Sequence, residues 1–101
     1  MMNIKINTMH FDADKKLTDF VENKIDKLQK FETKIVSADV FLTFNKSQSD
    51  KENKIAKIKI DLPGTELFAE KGTKSFEESV DSVIEALKKQ IMKYKEKKMG
   101  E

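Results

Sequence analysis

The sequence KSFEESVDSVIEALKKQIMKYKEKK, residues 74–98, decides the fold of this chain. Its apolar residues recur at spacings of three, four and one, which is the pattern of a single helix face. The members of this face are Phe76, Val80, Val83, Ile84, Leu87, Ile91 and Tyr94. The pattern predicts one long helix that packs its apolar face onto the rest of a small domain.

The charges of the same segment are sorted by position. All charged residues from 75 to 87 are acidic, whereas residues 88–98 carry six lysines and a single acid, Glu96. Acidic residues at the start of a helix and basic residues at its end interact favourably with the helix macrodipole, but about two or three lysines would be enough for this stabilisation. Six lysines around one helix end repel one another unless something anionic receives them. We therefore expect an anionic partner at this end of the helix.

The segments before this helix show strand alternation and one further apolar stripe. The stripe predicts a helix over residues 15–31, which Asp12 or Asp14 can cap. Its apolar residues are Leu17, Phe20, Val21, Ile25, Leu28 and Phe31. Alternation predicts strands at residues 3–8, 35–44, 55–62 and 66–70. The polar run 45–53 is typical of a hairpin loop, and Pro63-Gly64 is typical of a turn.

This order, β-α-β-β-β-α, predicts an α+β fold. A crossover through the first helix makes the first two strands parallel, and the remaining strands form a meander. The inward residues of the two middle strands are Ala38, Val40, Leu42, Phe44, Ala56, Ile58, Ile60 and Leu62. Because each helix has one apolar stripe, we expect a two-layer sandwich: a four-stranded sheet with both helices on one face.

The other sheet face is expected to be open to water. It carries Lys57, Lys59, Phe41 and Phe68. The two phenylalanines have two interpretations. They could be stacking platforms for bases, as on other open sheets, or a cross-strand aromatic pair that shields the sheet. We favour the cross-strand pair, because such pairs are ordinary sheet stabilisers.

The first helix also has a lysine stripe. Lys16, Lys27, Lys30 and Lys34 fall on one side together with Asn23, and acids occupy the neighbouring stripe. One interpretation is a solvent-exposed helix face on which acidic and basic residues form ion pairs. A basic surface shared with the second helix is the other, since both helices repeat the same feature.

Composition excludes several classes of protein. The chain has 101 residues, enough for one domain, and 38% charged residues with a net charge of only +2. Every positive charge is a lysine, so bidentate guanidinium recognition is absent and backbone electrostatics are favoured over base reading. The absence of cysteine excludes disulfides and thiolate metal sites. With no apolar run of membrane-spanning length, we expect a soluble cytoplasmic protein without a membrane partner.

The sequence lacks the residue combinations of an active site. His10 is the only histidine, so a triad or a histidine metal cluster has no second member, and a loop or capping role is expected. The carboxylates are scattered over helix surfaces, and the glycines are isolated, which excludes a phosphate-binding loop. We predict no enzyme activity, no catalytic residue, no metal, no cofactor and no small-molecule substrate.

Four stretches of the chain resemble the ribosome hibernation-promoting factors, also called ribosome-associated inhibitors. They are the exit Met9-His10 of the first strand, LTDFVENKIDKLQKF at 17–31, IDLPGTELFAE at 60–70 and VDSVIEALKKQIMKYKEK at 80–97. The last is the most specific, with Val80-Asp81, Leu87, Lys89-Gln90 and a Lys-x-Lys-Glu-Lys ending. The resemblance covers nearly the whole chain, and the family's fold has the same β-α-β-β-β-α order.

The resemblance implies a partner and a site. Such proteins bind the small ribosomal subunit in the mRNA and tRNA channel, use basic residues of both helices against 16S rRNA, and stop translation in starved or stationary cells. Carried over by position, the rRNA-binding residues are Lys24, Lys27, Lys30, Lys88, Lys89, Lys93, Tyr94, Lys95 and Lys97. A second hibernation factor is a further implied partner.

Some positions depart from the family pattern. Ala86 and Met92 stand where relatives often have a basic residue, and Tyr94 stands where they often have histidine. A tyrosine can still stack on a base or ribose. The end at Glu101 implies a single ribosome-binding domain over residues 1–101, without the domain by which long forms pair two ribosomes.

Two other functions fit the same residues. The lysine-rich helix end of a regulatory module could meet an acidic protein partner in place of rRNA. Generic double-stranded RNA binding is less favoured, because that familiar domain begins with a helix and this chain begins with a strand.

Overall fold

The helices and strands of the computed structural model lie where the sequence patterns predict them. The structure describes residues 3–9, 11–45 and 53–99. The elements are β1 (Asn3–Met9), α1 (Lys15–Phe31), β2 (Ser37–Phe44), β3 (Lys54–Leu62), β4 (Thr65–Thr73) and α2 (Phe76–Met99). This confirms the predicted order and fold class. The largest difference is β4, which extends three residues beyond the predicted strand, to Thr73.

Helix α1 begins at a side-chain cap. Asp14 is the N-cap residue, with extended backbone, and its carboxylate accepts a hydrogen bond of 2.8 Å from the backbone N–H of Leu17. Of the two predicted caps, Asp14 is therefore the one used. This bond satisfies one of the amide groups that a helix start leaves without an intrahelical partner.

The four strands lie in sequence order across one sheet, β1-β2-β3-β4. β1 pairs with β2 in parallel, with Ile6 opposite Val40. The other neighbours are antiparallel, with Val40 opposite Ile58 and Ile60 opposite Leu67. β3 turns into β4 at Gly64, whose φ of 78° lies in the left-handed region that favours glycine. The parallel crossover and the meander are both confirmed.

The core lies between one sheet face and the two helices. Its buried members from β2 and β3 are Ala38, Val40, Leu42, Ala56, Ile58, Ile60 and Leu62. The members from the helices are Leu17, Val21, Ile25, Leu28, Phe76, Val80, Val83, Ile84, Leu87 and Ile91. Helix α2 lies over β3 and β4 and alongside α1, so both helices cover the same sheet face, as predicted.

Two residues of the predicted α1 stripe lie at its edge. Phe31 is 36% exposed, so its assignment to the core is wrong, and Phe20 is only partly buried. At 100° per residue, Phe31 is turned about 120° and Phe20 about 140° away from the buried Ile25. Both residues therefore lie at the edge of the apolar stripe of α1, and Phe20 still packs partly against the core.

The opposite sheet face is open and carries both charges and aromatic rings. Phe41 and Phe68 are 39% and 48% exposed. Phe41 lies opposite Lys57 and Phe68 lies opposite Lys59. The predicted cross-strand pair is therefore wrong: β3 runs between the two phenylalanines, and each has a lysine as its neighbour on that strand.

Some sequence predictions fall outside the described residues. They concern His10 and most of the polar hairpin loop, residues 46–52. The base of that connection is described: the backbone N–H of Asn45 donates to the carbonyl of Asn53 at 2.8 Å. In the part of the chain that the structure describes, neither helix has a membrane-spanning apolar stretch.

Candidate nucleic-acid interface

The two helices run parallel, side by side. Near the start of α2, Lys24 Nζ lies 2.7 Å from Asp81 Oδ1. Near its end, Lys95 Nζ donates to the backbone carbonyl of Phe31 at 3.0 Å. The residue nearer the end of α1 contacts the residue nearer the end of α2, as expected for two helices that run in the same direction. Both C-termini therefore lie at the same end of the molecule.

Five exposed lysines gather towards this end, and we call them the lysine face: Lys27, Lys30, Lys89, Lys93 and Lys97. On α2 the three lysines follow one another at four-residue intervals, so they form one row along the helix. None of the five forms an ion pair with another residue in the described ranges 3–9, 11–45 and 53–99. Their positive charge is therefore available to a partner.

Helix macrodipoles support this placement. The carbonyl ends of α1 and α2 each carry partial negative charge, and lysines near them are stabilised. The starts of both helices carry the acids Asp12, Asp14, Glu77 and Glu78, all exposed. There Asp19 accepts a hydrogen bond of 2.7 Å from Lys15, which raises the pKa of that lysine. The acids at the helix starts and the lysines at the helix ends are thus both placed favourably for the macrodipoles.

Lys24 and Lys88 are paired within the molecule. Lys24 bonds Asp81 and also lies 5.4 Å from the centre of the Phe20 ring. Lys88 Nζ lies 3.5 Å from a carboxylate oxygen of Glu85, one turn earlier on α2. Both lysines are partly buried and border the lysine face. Their direct contact with rRNA stays a prediction.

Lys95 holds the end of α1. Its ammonium donates to the Phe31 carbonyl, at the last residue of the helix, and lies 4.9 Å from the centre of the Phe31 ring. A cation at the carbonyl end of a helix satisfies an acceptor that has no intrahelical partner. Lys95 therefore has a structural role in addition to the rRNA contact that the sequence predicts.

Tyr94 packs inward, against the core and the β3–β4 turn. Its ring is partly buried and packs against the core, and its hydroxyl lies 3.5 Å from the carbonyl oxygen of Pro63 in the β3–β4 turn. On the same side of α2, Gln90 Nε2 donates to the backbone carbonyl of Phe68 at 2.9 Å. These contacts fix α2 against the edge strand. Stacking of Tyr94 on a base stays a prediction.

Sequence reasoning missed two exposed apolar side chains among these lysines. Phe31 was placed in the core, and Met92, noted only as a departure from the family pattern, is 51% exposed. The rotation of Phe31 away from Ile25 was a signal in the sequence, since it can be counted from residue numbers alone. The pairing of Asp81 with Lys24 had no such signal, because it depends on how the two helices are placed.

A metal site would need a cluster of carboxylate or histidine side chains. Across the ranges that the structure describes, no three such side chains come together. The arrangement offers a row of point charges on two fixed helices. Such a surface attracts polyanions over their length, without the planar geometry that reads a base edge.

Comparisons with known proteins agree with the fold. The chain resembles a ribosome hibernation promotion factor from Picosynechococcus sp., with 28% identity over 100 residues. That match covers 98% of this chain and 52% of the relative, so the chain spans about half the length of the curated relative.

Two solved structures share the architecture. A ribosomal subunit interface protein from Coxiella burnetii superposes with a TM-score of 0.82 and 24% identity, covering 94% of this chain and 98% of that one. The N-terminal domain of Protein Y from Thermus thermophilus gives a TM-score of 0.78 and 23% identity, covering 92% and 99%. At these identities the likeness shows the fold.

Family membership rests on a match to a family model. The model for Sigma 54 modulation protein / S30EA ribosomal protein matches residues 4–99. This range contains both helices and all four strands, except for Asn3 at the start of β1. This match confirms the resemblance that the sequence motifs carry. The chain belongs to the Sigma 54 modulation protein / S30EA ribosomal protein family.

Proposed function

We propose that this chain is a ribosome hibernation factor. It binds the small ribosomal subunit in the channel where mRNA and tRNA lie, with the lysine face against 16S rRNA, and thereby blocks translation in starved or stationary cells. The proposal is supported by the family match and by the names of the relatives, which are a ribosome hibernation promotion factor and a ribosomal subunit interface protein.

The lysine face is the observation that carries the proposal. Five exposed lysines from two parallel helices point outward at one end of the molecule, with no internal acid to neutralise them among the described residues. Lysine ammonium groups meet phosphates as point charges. An RNA backbone folded into a channel presents many phosphates at once, so the surface suits rRNA better than it suits a single acidic side chain.

Inhibition would follow from occupation alone. Nothing in the lysine face is a nucleophile with an adjacent base. The protein therefore acts without chemistry, by filling space that mRNA and tRNA need, and its effect is set by mass action. Ribosomes freed of the protein should regain activity with their rRNA intact.

A titration in a purified translation system tests this proposal. Protein is added to a fixed amount of ribosomes, and the rate of peptide synthesis is measured. Inhibition should saturate near one protein per ribosome, because each channel accommodates one occupant. Inhibition at far below stoichiometric amounts, or cleaved rRNA afterwards, would show enzymatic action and contradict the proposal.

A further inference from the structure

Two apolar side chains are exposed between the lysines of the two helices. Phe31, at the end of α1, is 36% exposed, and Met92, on α2, is 51% exposed. Scattered exposed apolar residues are common on soluble proteins and need no explanation singly. These two are notable for their surroundings, which are lysines contributed by both helices.

The Lys95–Phe31 contact and the helix periodicity place these residues on adjoining surfaces of the two helices. Lys95 Nζ lies 4.9 Å from the centre of the Phe31 ring, and Met92 lies one turn before Lys95 on the same side of α2. Lys27 lies one turn before Phe31, and Lys88 lies one turn before Met92. We call this group the Phe31 platform: Phe31, Met92, Lys27, Lys88 and Lys95.

The Phe31 ring lies beside the Lys95 ammonium and is still partly exposed. Lys95 Nζ donates to the backbone carbonyl of Phe31 and lies 4.9 Å from the ring centre. Within the described part of the chain, no other aromatic ring contacts Phe31. The rest of the ring surface is therefore open to a ligand, and an aromatic face can stack with a nucleobase.

The exposed rings of the open sheet face differ in their surroundings. Phe68 lies on one strand face with Glu66 and Glu70, and Lys59 beside it is within 3.8 Å of Glu66 and 3.7 Å of Asp39. Phe68 therefore lies among acids and a lysine that these acids pair. Phe31 has a lysine ammonium 4.9 Å from its ring centre and Lys27 one turn away on α1.

We propose that the Phe31 platform binds an unstacked nucleobase of single-stranded RNA, with the base against the Phe31 ring and the Met92 side chain. A flanking phosphate lies near Lys27, which forms no ion pair among the described residues. This inference rests on the proposed function, and adds that the rRNA segment at this point is single-stranded. Paired bases are stacked within a helix and their faces are hidden, whereas a splayed base offers its face to an aromatic side chain.

Binding to purified small ribosomal subunits tests the platform. The dissociation constant is measured by fluorescence anisotropy at several salt concentrations, for the wild-type chain, Phe31→Leu and Phe41→Leu. Phe31→Leu should weaken binding about tenfold or more, by the usual effect of removing a base–aromatic stack. Its salt dependence should match the wild type, because no phosphate contact is lost. Phe41→Leu is the matched control, since Phe41 is exposed to a similar degree, 39%, on the open sheet face, and should bind like the wild type.

A second variant separates stacking from folding. Phe31→Trp keeps an aromatic face, so it should bind at least as tightly as the wild type, and both variants are checked for their melting temperature. Wild-type affinity of a folded Phe31→Leu variant would overturn the platform and leave the proposed function standing. Failure of the wild-type chain itself to bind small subunits would overturn the proposed function and the platform with it.

The nature of the contacted group is tested with RNA alone. The same measurement on deproteinised 16S rRNA should show the same loss for Phe31→Leu. A loss seen with intact subunits but absent with deproteinised rRNA would show that the ring contacts a ribosomal protein, and would overturn the assignment of a nucleobase.

Discussion

The ammonium group of Lys95 lies 3.0 Å from the backbone carbonyl oxygen of Phe31 and 4.9 Å from the centre of its ring. A lysine of α2 thus closes the C-terminal end of α1 and ties the two helices together. The lysines of the two helices therefore divide into two groups. Lys95 and Lys24 hold the helices side by side, whereas the lysine face points outward.

This division predicts different effects for neighbouring lysines. Lys95→Met removes the donor to Phe31 and the cation beside its ring, so the free energy of unfolding should fall by about 1 kcal/mol. Urea denaturation measures this change. Lys97→Met, on an exposed position two residues later, should leave stability within about 0.5 kcal/mol of the wild type. Equal stability of the two variants would show that the Lys95 contact contributes nothing.

Binding should depend steeply on salt. Each phosphate contact releases counterions, so the affinity falls by roughly 0.7 to 0.9 log units per log unit of salt for each contact. Replacing Lys89 and Lys93 together by glutamine should reduce that slope by about 1.4 to 1.8. The measurement is the dissociation constant for small subunits between low and moderate salt. A slope unchanged by the double substitution would remove these lysines from the interface.

Charge reversal distinguishes the two faces of the fold. A variant with four substitutions, Lys27→Glu, Lys30→Glu, Lys89→Glu and Lys93→Glu, should no longer bind small subunits. Their exposed charges contribute little to folding, so the melting temperature should change little. The control reverses Lys57 and Lys59 on the open sheet face, where binding should be largely retained. Its melting temperature is measured as well, because Lys59 pairs with Asp39 and Glu66. If the sheet variant lost more binding than the helix variant, the interface would lie on the open sheet face, and the lysine face would not be the binding site.

The start of α2 is held by a buried hydroxyl. Ser79 is fully buried, and its Oγ donates to the carbonyl of Lys54 at 2.6 Å and lies 2.8 Å from the hydroxyl of Thr73. Ser79→Ala leaves both partners short of a hydrogen bond, which should lower the free energy of unfolding by about 1 to 3 kcal/mol. Ser82→Ala, on the same helix and only partly buried, should cost about 0.5 kcal/mol or less. Urea denaturation measures the free energy of unfolding of both variants. Equal values for the two would show that the Ser79 hydroxyl does not stabilise the fold.

The fold was largely predictable from local patterns. Alternation in β2 and β3, the apolar stripes of α1 and α2, and the capping Asp14 all specify the elements that form. β4 was predicted too short because its last residues, Lys71, Gly72 and Thr73, lack alternating apolar residues. They are strand because they pair with residues 54–56 of β3, which local pattern cannot show.

The site was predictable in part. Its lysines could be found by counting positions on each helix. Counting could not show which of these lysines point outward and which bond to the other helix. That division depends on the distance and direction of the second helix: Asp81 and the Phe31 carbonyl become partners only once α1 and α2 lie in parallel. The Phe41 and Phe68 error has the same origin, since strand order decides which side chains are neighbours.

The most direct test of a ribosomal role is sedimentation of a cell lysate through a sucrose gradient, with immunoblotting of the fractions. At low salt the protein should migrate with small subunits or with whole ribosomes, and at high salt it should move to the top of the gradient. Salt release is expected because the proposed contacts of the lysine face are with rRNA phosphates. Recovery only in the top fractions at low salt would contradict ribosome binding, and would favour an acidic protein as the partner of these lysines.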